Sequence, residues 1–318
     1  MDNGIYNKQS DINLVSDVSL STMWAMKNFP DLNDFIIAAK NLGFKQIELN
    51  HQVDSVMLSN ITLDHLRFSS IHEPCPADIP TKILVERDWL ISSQDENNRK
   101  QGVNSVKKSI DLAHRVGAPT VVVHCGNSKS DPALENKLRA LYHKGRSQSD
   151  EFLHLKENLI QSRAEIANIR LDAVKKSLVE LVDHATRYDV KLGLENRYHY
   201  MDIPLLDEMD ELLDTADANY LGFVYDVGHA QALDRLGFFP HEEWLRRYSH
   251  RIFGTHLHDV IGITDHYAPG LGEIDFSLVA KYLPEKSFRT CELQPNNTPE
   301  QVRAGLILLL ENGCLKSY

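Results

Sequence analysis

Eight short runs of apolar and β-branched residues recur along this chain, with amphipathic stretches of helical spacing between them. This alternation is typical of βαβ units built around a parallel sheet. Eight strands fit a closed (β/α)8 barrel, which takes about 250 residues, so a chain of 318 residues accommodates one barrel with additional segments. The predicted strands are Leu14–Leu20, Gln46–Leu49, Ser69–His72, Thr120–His124, Lys191–Glu195, Leu221–Asp226, Ile252–His256 and Phe288–Glu292.

The segments between these strands carry the start and stop signals of helices. Gly43, Gly117 and Gly313 stand where a C-cap glycine ends a helix, and Pro299 behind Thr298 is typical of a helix start. An open doubly wound sheet has the same alternation, but no GxGxxG motif follows the first strand. The predicted helices are Asp31–Asn41, Asn104–Val116, Ala164–Tyr188, Leu205–Thr215, Glu242–Ser249 and Pro299–Glu311.

Residues 126–163 form the longest stretch without a predicted strand. The stretch is charged and helix-prone and is too long for a simple loop, which predicts a helical excursion after the fourth strand. A lid, a dimer contact and a solvated decoration are all open roles for it. We therefore predict a single α/β TIM barrel domain over residues 1–318, with an insertion at about 126–163.

Composition and charge narrow the classes of protein. The formal net charge of −11 disfavours a partner bound mainly through phosphates, so nucleic acid is not an expected partner. No run of about eighteen apolar residues occurs, and the polar start of the chain lacks the order of a signal peptide, which predicts a cytoplasmic protein without a membrane partner. The cysteines lack close pairing, so reduced, buried thiols are expected at Cys75, Cys125, Cys291 and Cys314.

Side chains able to bind a metal or move a proton end nearly all the predicted strands. The C-terminal ends of barrel strands converge on the face where active sites lie. Four such side chains follow one another at intervals of about one βα unit: Glu195, Asp226, His256 and Glu292. Acids clustered at one point repel each other and resist desolvation, which favours a bound cation. The same feature recurs at Glu48, His72 and His124.

The donor set indicates the kind of ion. Three carboxylates and one imidazole suit Mn²⁺, Zn²⁺, Co²⁺ or Mg²⁺ rather than a thiolate-preferring ion. Spacing leaves open whether His256 or His258, two positions further on, binds it. Trp24 is expected either to wall the pocket or to pack in the core. The histidines outside these motifs, among them His51 and His241, are expected in solvated or helix-capping positions.

Four ordered motifs stand at the strand ends: LEN at 194–196, YDVGH at 225–229, THLHDVIGITDHYAPGLGEIDF at 255–276 and CELQP at 291–295. In this order they resemble the xylose isomerase-like TIM barrel superfamily, and the resemblance covers the chain from Glu48 to about Glu311. That superfamily includes sugar isomerases and epimerases, inosose and dehydroshikimate dehydratases, and nucleases of the endonuclease IV type. The motifs are specific for the superfamily but not for one reaction.

The resemblance implies a role for each matching residue. The shared metal ligands correspond to Glu195, Asp226, His256 and Glu292, and the HxxD pattern favours His256 over its neighbour. The DxH pair of the superfamily resembles Asp265 and His266, which here stand side by side and so depart from the third-metal pattern. Substrate binding or additional metal binding is implied for His72, His124, His229, His258, Asp265 and His266.

The resemblance further implies a metal-dependent isomerase or epimerase acting on a sugar or cyclitol-like polyhydroxy carbonyl compound. One divalent ion would serve it, with Glu195 and Glu292 exchanging a proton through an enediolate. Dehydration of a related substrate is an alternative, because the same enolate can expel a β-hydroxyl group. A zinc-dependent AP endonuclease with up to three zinc ions is another, supported by the surplus histidines.

A barrel that binds or scaffolds without catalysis is the remaining alternative, which the presence of all four ligands disfavours. Arg197 follows the LEN motif and is expected either to reach an anionic substrate group or to be exposed on a loop. A small-molecule substrate is the expected partner, and a homodimer is an open alternative to a monomer.

Overall fold

The computed structural model describes residues 18–25, 28–29, 31–62 and 66–316. Its strands are β1 (Val18–Ser21), β2 (Gln46–Leu49), β3 (Phe68–His72), β4 (Thr120–Val123), β5 (Lys191–Glu195), β6 (Leu221–Asp226), β7 (Ile252–Leu257), β8 (Asp259–Ile261), β9 (Thr264–Tyr267) and β10 (Phe288–Cys291). Eight of them form a closed parallel barrel in the order β1-β10-β7-β6-β5-β4-β3-β2. The predicted (β/α)8 barrel is confirmed, while positions 14–17 of the first predicted strand lie outside the described residues.

The barrel strands are buried on both faces, because helices cover the outside and side chains fill the inside. β4 reads Thr-Val-Val-Val, and each of its four residues is buried. β6 is likewise buried over its whole length. This two-sided burial explains why the barrel strands stand out in the sequence as continuous apolar runs rather than as alternating patterns.

The helices are α1 (Leu32–Leu42), α2 (Ser55–Ser59), α3 (Thr81–Glu86), α4 (Glu96–Val116), α5 (Pro132–His143), α6 (Asp150–Thr186), α7 (Leu206–Leu213), α8 (Val227–Arg235), α9 (His241–Tyr248), α10 (Phe276–Tyr282) and α11 (Pro299–Glu311). All six predicted helices are found, and α2, α3, α8 and α10 are additional. Gly43 and Gly117 cap α1 and α4 in the left-handed conformation, whereas Gly313 lies one residue beyond the cap Asn312. No helix in the described part of the chain is both long enough and apolar enough to cross a bilayer.

The excursion after β4 consists of α5 and the first half of α6. α6 runs for 37 residues without a break, from the excursion onto the outside of the barrel. Its C-terminal half contributes Leu171, Val174, Leu178 and Leu181 to the main core. The excursion has a smaller core of its own, formed by Leu138, Leu141, Phe152 and Leu159. Leu233 of α8 and Ile263, between β8 and β9, also belong to it. The predicted helical excursion is confirmed, and its small core also packs against α8.

β8 and β9 form an antiparallel hairpin directly after β7, which was not predicted. The carboxylate of Asp259 holds the segment that follows, accepting hydrogen bonds from Gly270 N at 2.8 Å and Ile274 N at 3.0 Å. Gly272 packs so closely against Val260 that a Cβ atom there would lie 2.2 Å from the Val260 carbonyl oxygen. This packing fixes the hairpin over the C-terminal face of the barrel.

Candidate metal centre

The ends of the barrel strands bring the predicted donors to one face. Glu195 and Asp226 end β5 and β6, His256 is the penultimate residue of β7, and Glu292 directly follows β10. Because all these strands are parallel and neighbours in the barrel, their C-terminal ends meet at the same edge. The four side chains are buried, none being more than 3% exposed.

Three carboxylates surround one ring nitrogen of His256. Its Nδ1 atom lies 2.7 Å from Glu195 Oε1, 3.1 Å from Glu292 Oε2 and 3.6 Å from Asp226 Oδ2. Despite these short distances, His256 Nδ1 and Glu195 Oε1 are buried without a well-aligned hydrogen bond. Buried polar groups are rarely left without a partner. Three carboxylate oxygens and an imidazole nitrogen pointing at one another fit a divalent cation between them.

The other nitrogen of the His256 ring is fixed by Glu48. His256 Nε2 lies 3.1 Å from Glu48 Oε2, which also accepts a hydrogen bond from Ser70 Oγ at 2.6 Å. A hydrogen on Nε2 that is donated to Glu48 leaves the lone pair of Nδ1 directed at the carboxylates. Metal-binding histidines typically have such a carboxylate on their second nitrogen.

His258 takes a different place from His256. Its Nε2 atom lies 3.1 Å from each carboxylate oxygen of Asp226, and its Nδ1 atom accepts a hydrogen bond from His266 N at 3.0 Å. Both nitrogens of this buried ring therefore already have protein partners. The spacing could not choose between His256 and His258. In the structure, His256 is the one that presents a nitrogen to the three carboxylates.

The charges of the central groups are strongly coupled. Burial by itself raises the pKa of Glu195, but the nearby rings of His124, His256 and His72 hold that pKa well below its usual range. Burial also raises the pKa of Glu292, which His256 and His266 lower well below its usual value. In return, the pKa of His256 is raised well above its usual value, because Glu48 and Glu292 outweigh its burial. The acids are thus ionised and depend on nearby positive charge.

His72 and His124 form a second group of nitrogens beside Glu195. Their Nε2 atoms lie 3.2 Å apart, and His124 Nε2 lies 3.0 Å from Glu195 Oε2. Burial would lower the pKa of His72, but Glu195 raises it to about 9. Burial, Arg197 and His72 lower the pKa of His124 well below its usual value. The two rings therefore differ in protonation, and His72, Glu195, His256 and Glu292 together form one cluster that could hold an ion.

A further cluster lies on the other side of Asp226. His229 Nδ1 is 3.6 Å from Asp226 Oδ1, and its Nε2 is 3.7 Å from Asp265 Oδ2. His266 Nδ1 is 3.0 Å from Asp265 Oδ1, and its Nε2 is 3.5 Å from Glu292 Oε2. His266 has a positive φ of 62°, an uncommon conformation that brings the adjacent Asp265 and His266 side chains into the site together. Asp226, His229 and His266 are close enough to share an ion.

Arg197 is only partly exposed and lies against the site in the loop after β5, so the expectation of an exposed arginine is wrong. Its side chain is 17% exposed, its Nη1 atom contacts Glu195 Oε2, and its Nε atom lies 3.7 Å from Asp202 Oδ2. Burial lowers the pKa of Arg197, but Glu195 and Asp202 raise it overall. The guanidinium is thus held between two carboxylates of its own chain.

The structure also shows the surroundings of His51, His241, Trp24 and the cysteines. His51 lies in a turn, is partly exposed, and packs against the ring of His72 at a centroid distance of 5.8 Å. His241 is buried and its Nδ1 atom lies 2.6 Å from Gln231 Oε1. Trp24 is 1% exposed and donates to the Asn297 carbonyl at 2.8 Å, so it packs in the core. The four cysteines are free and buried, as predicted.

The site also contains an acid that was not predicted. Glu73 follows β3 and accepts a hydrogen bond from His124 N at 3.0 Å, while its carbonyl oxygen lies 3.1 Å from His72 Nδ1. Burial raises the pKa of Glu73 to about 7. Its position directly after His72 was the available signal, but an acid beside a strand end is too common to single out.

A family model for the xylose isomerase-like TIM barrel matches residues 36–311. The chain belongs to this family, and the resemblance of its motifs is confirmed. The match begins ahead of β2 and ends with α11, so it includes the strand ends that carry all of the clustered acids and histidines described above.

Curated relatives are distant. The protein y4fM of Sinorhizobium fredii is 23% identical over 219 residues, which is 68% of this chain and 57% of that protein. MJ1311 of Methanocaldococcus jannaschii is 25% identical over 221 residues, 68% of this chain and 64% of that protein. The matched regions thus span about three fifths of these relatives. An inosose dehydratase of Geobacillus kaustophilus is 33% identical over 92 residues, 28% of this chain and 29% of that protein.

Solved structures share the fold over nearly the whole chain. A D-tagatose 3-epimerase-like protein is 20% identical, with a TM-score of 0.64 and coverage of 93% of this chain and 97% of its own. The IOLI protein, solved with a bound zinc atom, is 18% identical, with a TM-score of 0.65 and coverage of 94% and 98%. At such identities these likenesses establish the fold.

Proposed function

We propose that this chain is a divalent-metal-dependent isomerase or epimerase of a sugar or cyclitol-like polyhydroxy carbonyl compound. The observation that carries the proposal is the pair of glutamates beside one ring nitrogen. Glu195 Oε1 and Glu292 Oε2 lie 2.7 Å and 3.1 Å from His256 Nδ1, on strands separated by β6 and β7. Two carboxylates that approach one centre from different strands suit removal of a proton on one side and its return on another.

Glu195, Asp226, His256 and Glu292 would hold the ion, which as a Lewis acid would acidify the C–H bond between a chelated carbonyl and its adjacent hydroxyl. One glutamate would remove the proton from this carbon, giving an enediolate, and would later release that proton to water. The other glutamate, after taking a proton from water, would return it to the opposite face of the same carbon or to the neighbouring carbon. His72 and His229, which lie 3.7 Å and 3.8 Å from the two oxygens of Glu195, would hydrogen-bond substrate hydroxyl groups. A zinc atom in the structurally similar IOLI protein supports the choice of a metal.

Dehydration is a close alternative with the same first step. It has its own support in the local similarity to an inosose dehydratase over 92 residues. The two reactions diverge only after the enolate forms, when either a proton is returned or a β-hydroxyl group leaves. Mass spectrometry of the products separates them, because dehydration removes one water from the substrate and isomerisation leaves the mass unchanged.

A phosphodiesterase of the AP endonuclease type is the second candidate from another class. The histidine clusters favour it: His72 and His124 approach each other to 3.2 Å beside Glu195, and Asp226, His229 and His266 form a further group. Several zinc ions held there would activate water for attack on phosphorus. Cleavage of an abasic-site duplex by protein that contains three zinc ions per chain would place this candidate first, and loss of zinc in His266→Ala would support it.

The test of the isomerase proposal is proton exchange with solvent. Ketoses and cyclitols are incubated with the protein in deuterated water, and deuterium incorporation and product formation are followed by NMR. Glu292→Gln and Glu195→Gln keep an oxygen donor but remove the base, so we expect turnover to fall by about 10²- to 10⁴-fold. Glu311→Gln, at the exposed end of α11, is the matched control.

Metal content is measured on the same samples, so that loss of the ion is distinguished from loss of the base. Wild-type turnover in either glutamate variant, on a confirmed substrate, would contradict the assignment of that residue. Absence of deuterium exchange with every substrate that the protein converts would contradict the enediolate mechanism itself.

A further inference from the structure

The two oxygens of Glu195 face different neighbours. Oε1 lies 2.7 Å from His256 Nδ1, on the side of the candidate metal centre. Oε2 lies 3.0 Å from His124 Nε2 and is contacted by Arg197 Nη1. One oxygen is therefore available to an ion held with His256, while the other is already paired with a permanent cation.

Without Arg197, the outer side of Glu195 would itself resemble a metal site. His72 Nδ1 lies 3.1 Å from the carbonyl oxygen of Glu73, which can only accept, so Nδ1 carries a hydrogen and the lone pair of neutral His72 is on Nε2. That Nε2 atom is 3.2 Å from His124 Nε2 and 3.7 Å from Glu195 Oε1. Two imidazole nitrogens and a bridging carboxylate are a donor set that suits zinc.

The guanidinium of Arg197 is held firmly in this position. Its Nε atom faces Asp202 Oδ2 at 3.7 Å. The residues between Arg197 and Asp202 are anchored by Glu135 of the excursion, which accepts hydrogen bonds from Tyr200 N at 3.2 Å and Met201 N at 3.3 Å. Glu135 is 1% exposed and paired with Arg139 at 2.8 Å. Moving Arg197 would therefore break its contact with Asp202 and disturb the loop that Glu135 anchors.

We propose that Arg197 takes the place of a second metal ion beside Glu195 and thereby keeps the His72–His124 side of the centre free of metal. The proposal rests on the proposed metal-dependent function and adds that Glu195 binds one metal ion rather than two. An ion bound to Glu195 Oε2 would stand next to the guanidinium, and the repulsion between charges of +2 and +1 in a buried site weakens binding by on the order of a hundredfold or more. Arg197 thus favours proton-transfer chemistry at one ion over water activation between two.

The experiment counts metal ions and needs no substrate. Purified protein is equilibrated with excess zinc, freed of loosely bound metal by gel filtration, and analysed by elemental mass spectrometry against protein concentration. Arg197→Met removes the charge but retains much of the side-chain volume, and we expect it to bind one more ion per chain than the wild type. Arg197→Lys keeps the cation and should match the wild type.

Two further variants locate the additional ion. His124→Gln added to Arg197→Met should abolish the gain, whereas His124→Gln alone should leave the wild-type metal content unchanged. No gain in a folded Arg197→Met variant would overturn the proposal, and so would loss of an ion in His124→Gln alone. The latter result stands even if Arg197→Met fails to fold, which thermal unfolding would reveal. Because no turnover is measured, failure of the isomerase proposal is recognised separately, by the deuterium experiment.

Discussion

Glu48 holds His256 by the ring nitrogen that faces away from the candidate metal centre, and its replacement tests whether this contact prepares the metal site. Glu48→Gln preserves the shape of the side chain but replaces a charged acceptor at 3.1 Å from His256 Nε2 with a neutral amide. Loss of such an outer partner typically lowers metal affinity about 10- to 100-fold, or about 1.4–2.8 kcal/mol. Glu48 and His256 are both 0% exposed, so water cannot substitute, and we expect a loss near the upper end.

Zinc affinity is measured by competition with a chromophoric chelator at constant pH and ionic strength. Ser70→Ala removes another partner of the same carboxylate, at 2.6 Å, and leaves the carboxylate in place, so we expect a smaller loss. Glu311→Gln on the surface should bind zinc with unchanged affinity. Thermal unfolding of the metal-free proteins shows whether each variant retains the fold.

An unchanged zinc affinity in folded Glu48→Gln would refute this reasoning. It would mean either that Nδ1 of His256 is not a ligand or that the barrel wall alone orients the ring. Zinc content in His256→Gln decides between these two explanations, because only the first predicts that the ion is retained.

Two other predictions concern stability and proton linkage. A Cβ atom at Gly272 would lie 2.2 Å from Val260 O and 2.5 Å from Asp259 Oδ1. Gly272→Ala should therefore lower the free energy of unfolding, measured by urea denaturation, by about 1–3 kcal/mol. An unchanged unfolding midpoint would contradict this close packing. Zinc affinity should rise with pH, because the raised pKa of His256 leaves it protonated near neutrality, whereas the lowered pKa values of Glu195 and Glu292 leave them ionised. Calorimetry in buffers of different ionisation enthalpy should therefore detect release of at least one proton per ion at pH 7, and no release would be the contrary result.

The barrel could be predicted because its strands are buried on both faces and nearly all of them end in a side chain able to bind a metal or move a proton. β5 and β6 were predicted with the observed bounds. The hairpin of β8 and β9 was not, since strands of only three and four residues joined by a two-residue turn show no extended pattern. α2 and α3, with five and six residues, are likewise too short for a helical period to emerge.

The clustering of Glu195, Asp226, His256 and Glu292 could also be predicted, because their spacing follows the βα repeat. Spacing alone could not choose between His256 and His258, since residues two apart on a strand point to the same side, and only the resemblance of the HxxD pattern favoured His256. The contact of Glu48 with His256 joins residues 208 positions apart, so only the closed barrel reveals it. The contact of Arg197 with Glu195 depends on a loop whose shape is fixed by the excursion, and local sequence holds no sign of it.

Because α6 is one unbroken helix, few insertions or deletions of residues within it can be accommodated. At about 1.5 Å per residue, its 37 residues span about 55 Å. Arg163 near its middle pairs with Glu208, and Arg170, about two turns later, donates a hydrogen bond to the Asn127 carbonyl at 2.6 Å. Inserting a single residue between the two would rotate one half of the helix by about 100° relative to the other, and both anchors could not be kept. Insertions and deletions should therefore be tolerated in the turn between α5 and α6 but not within α6.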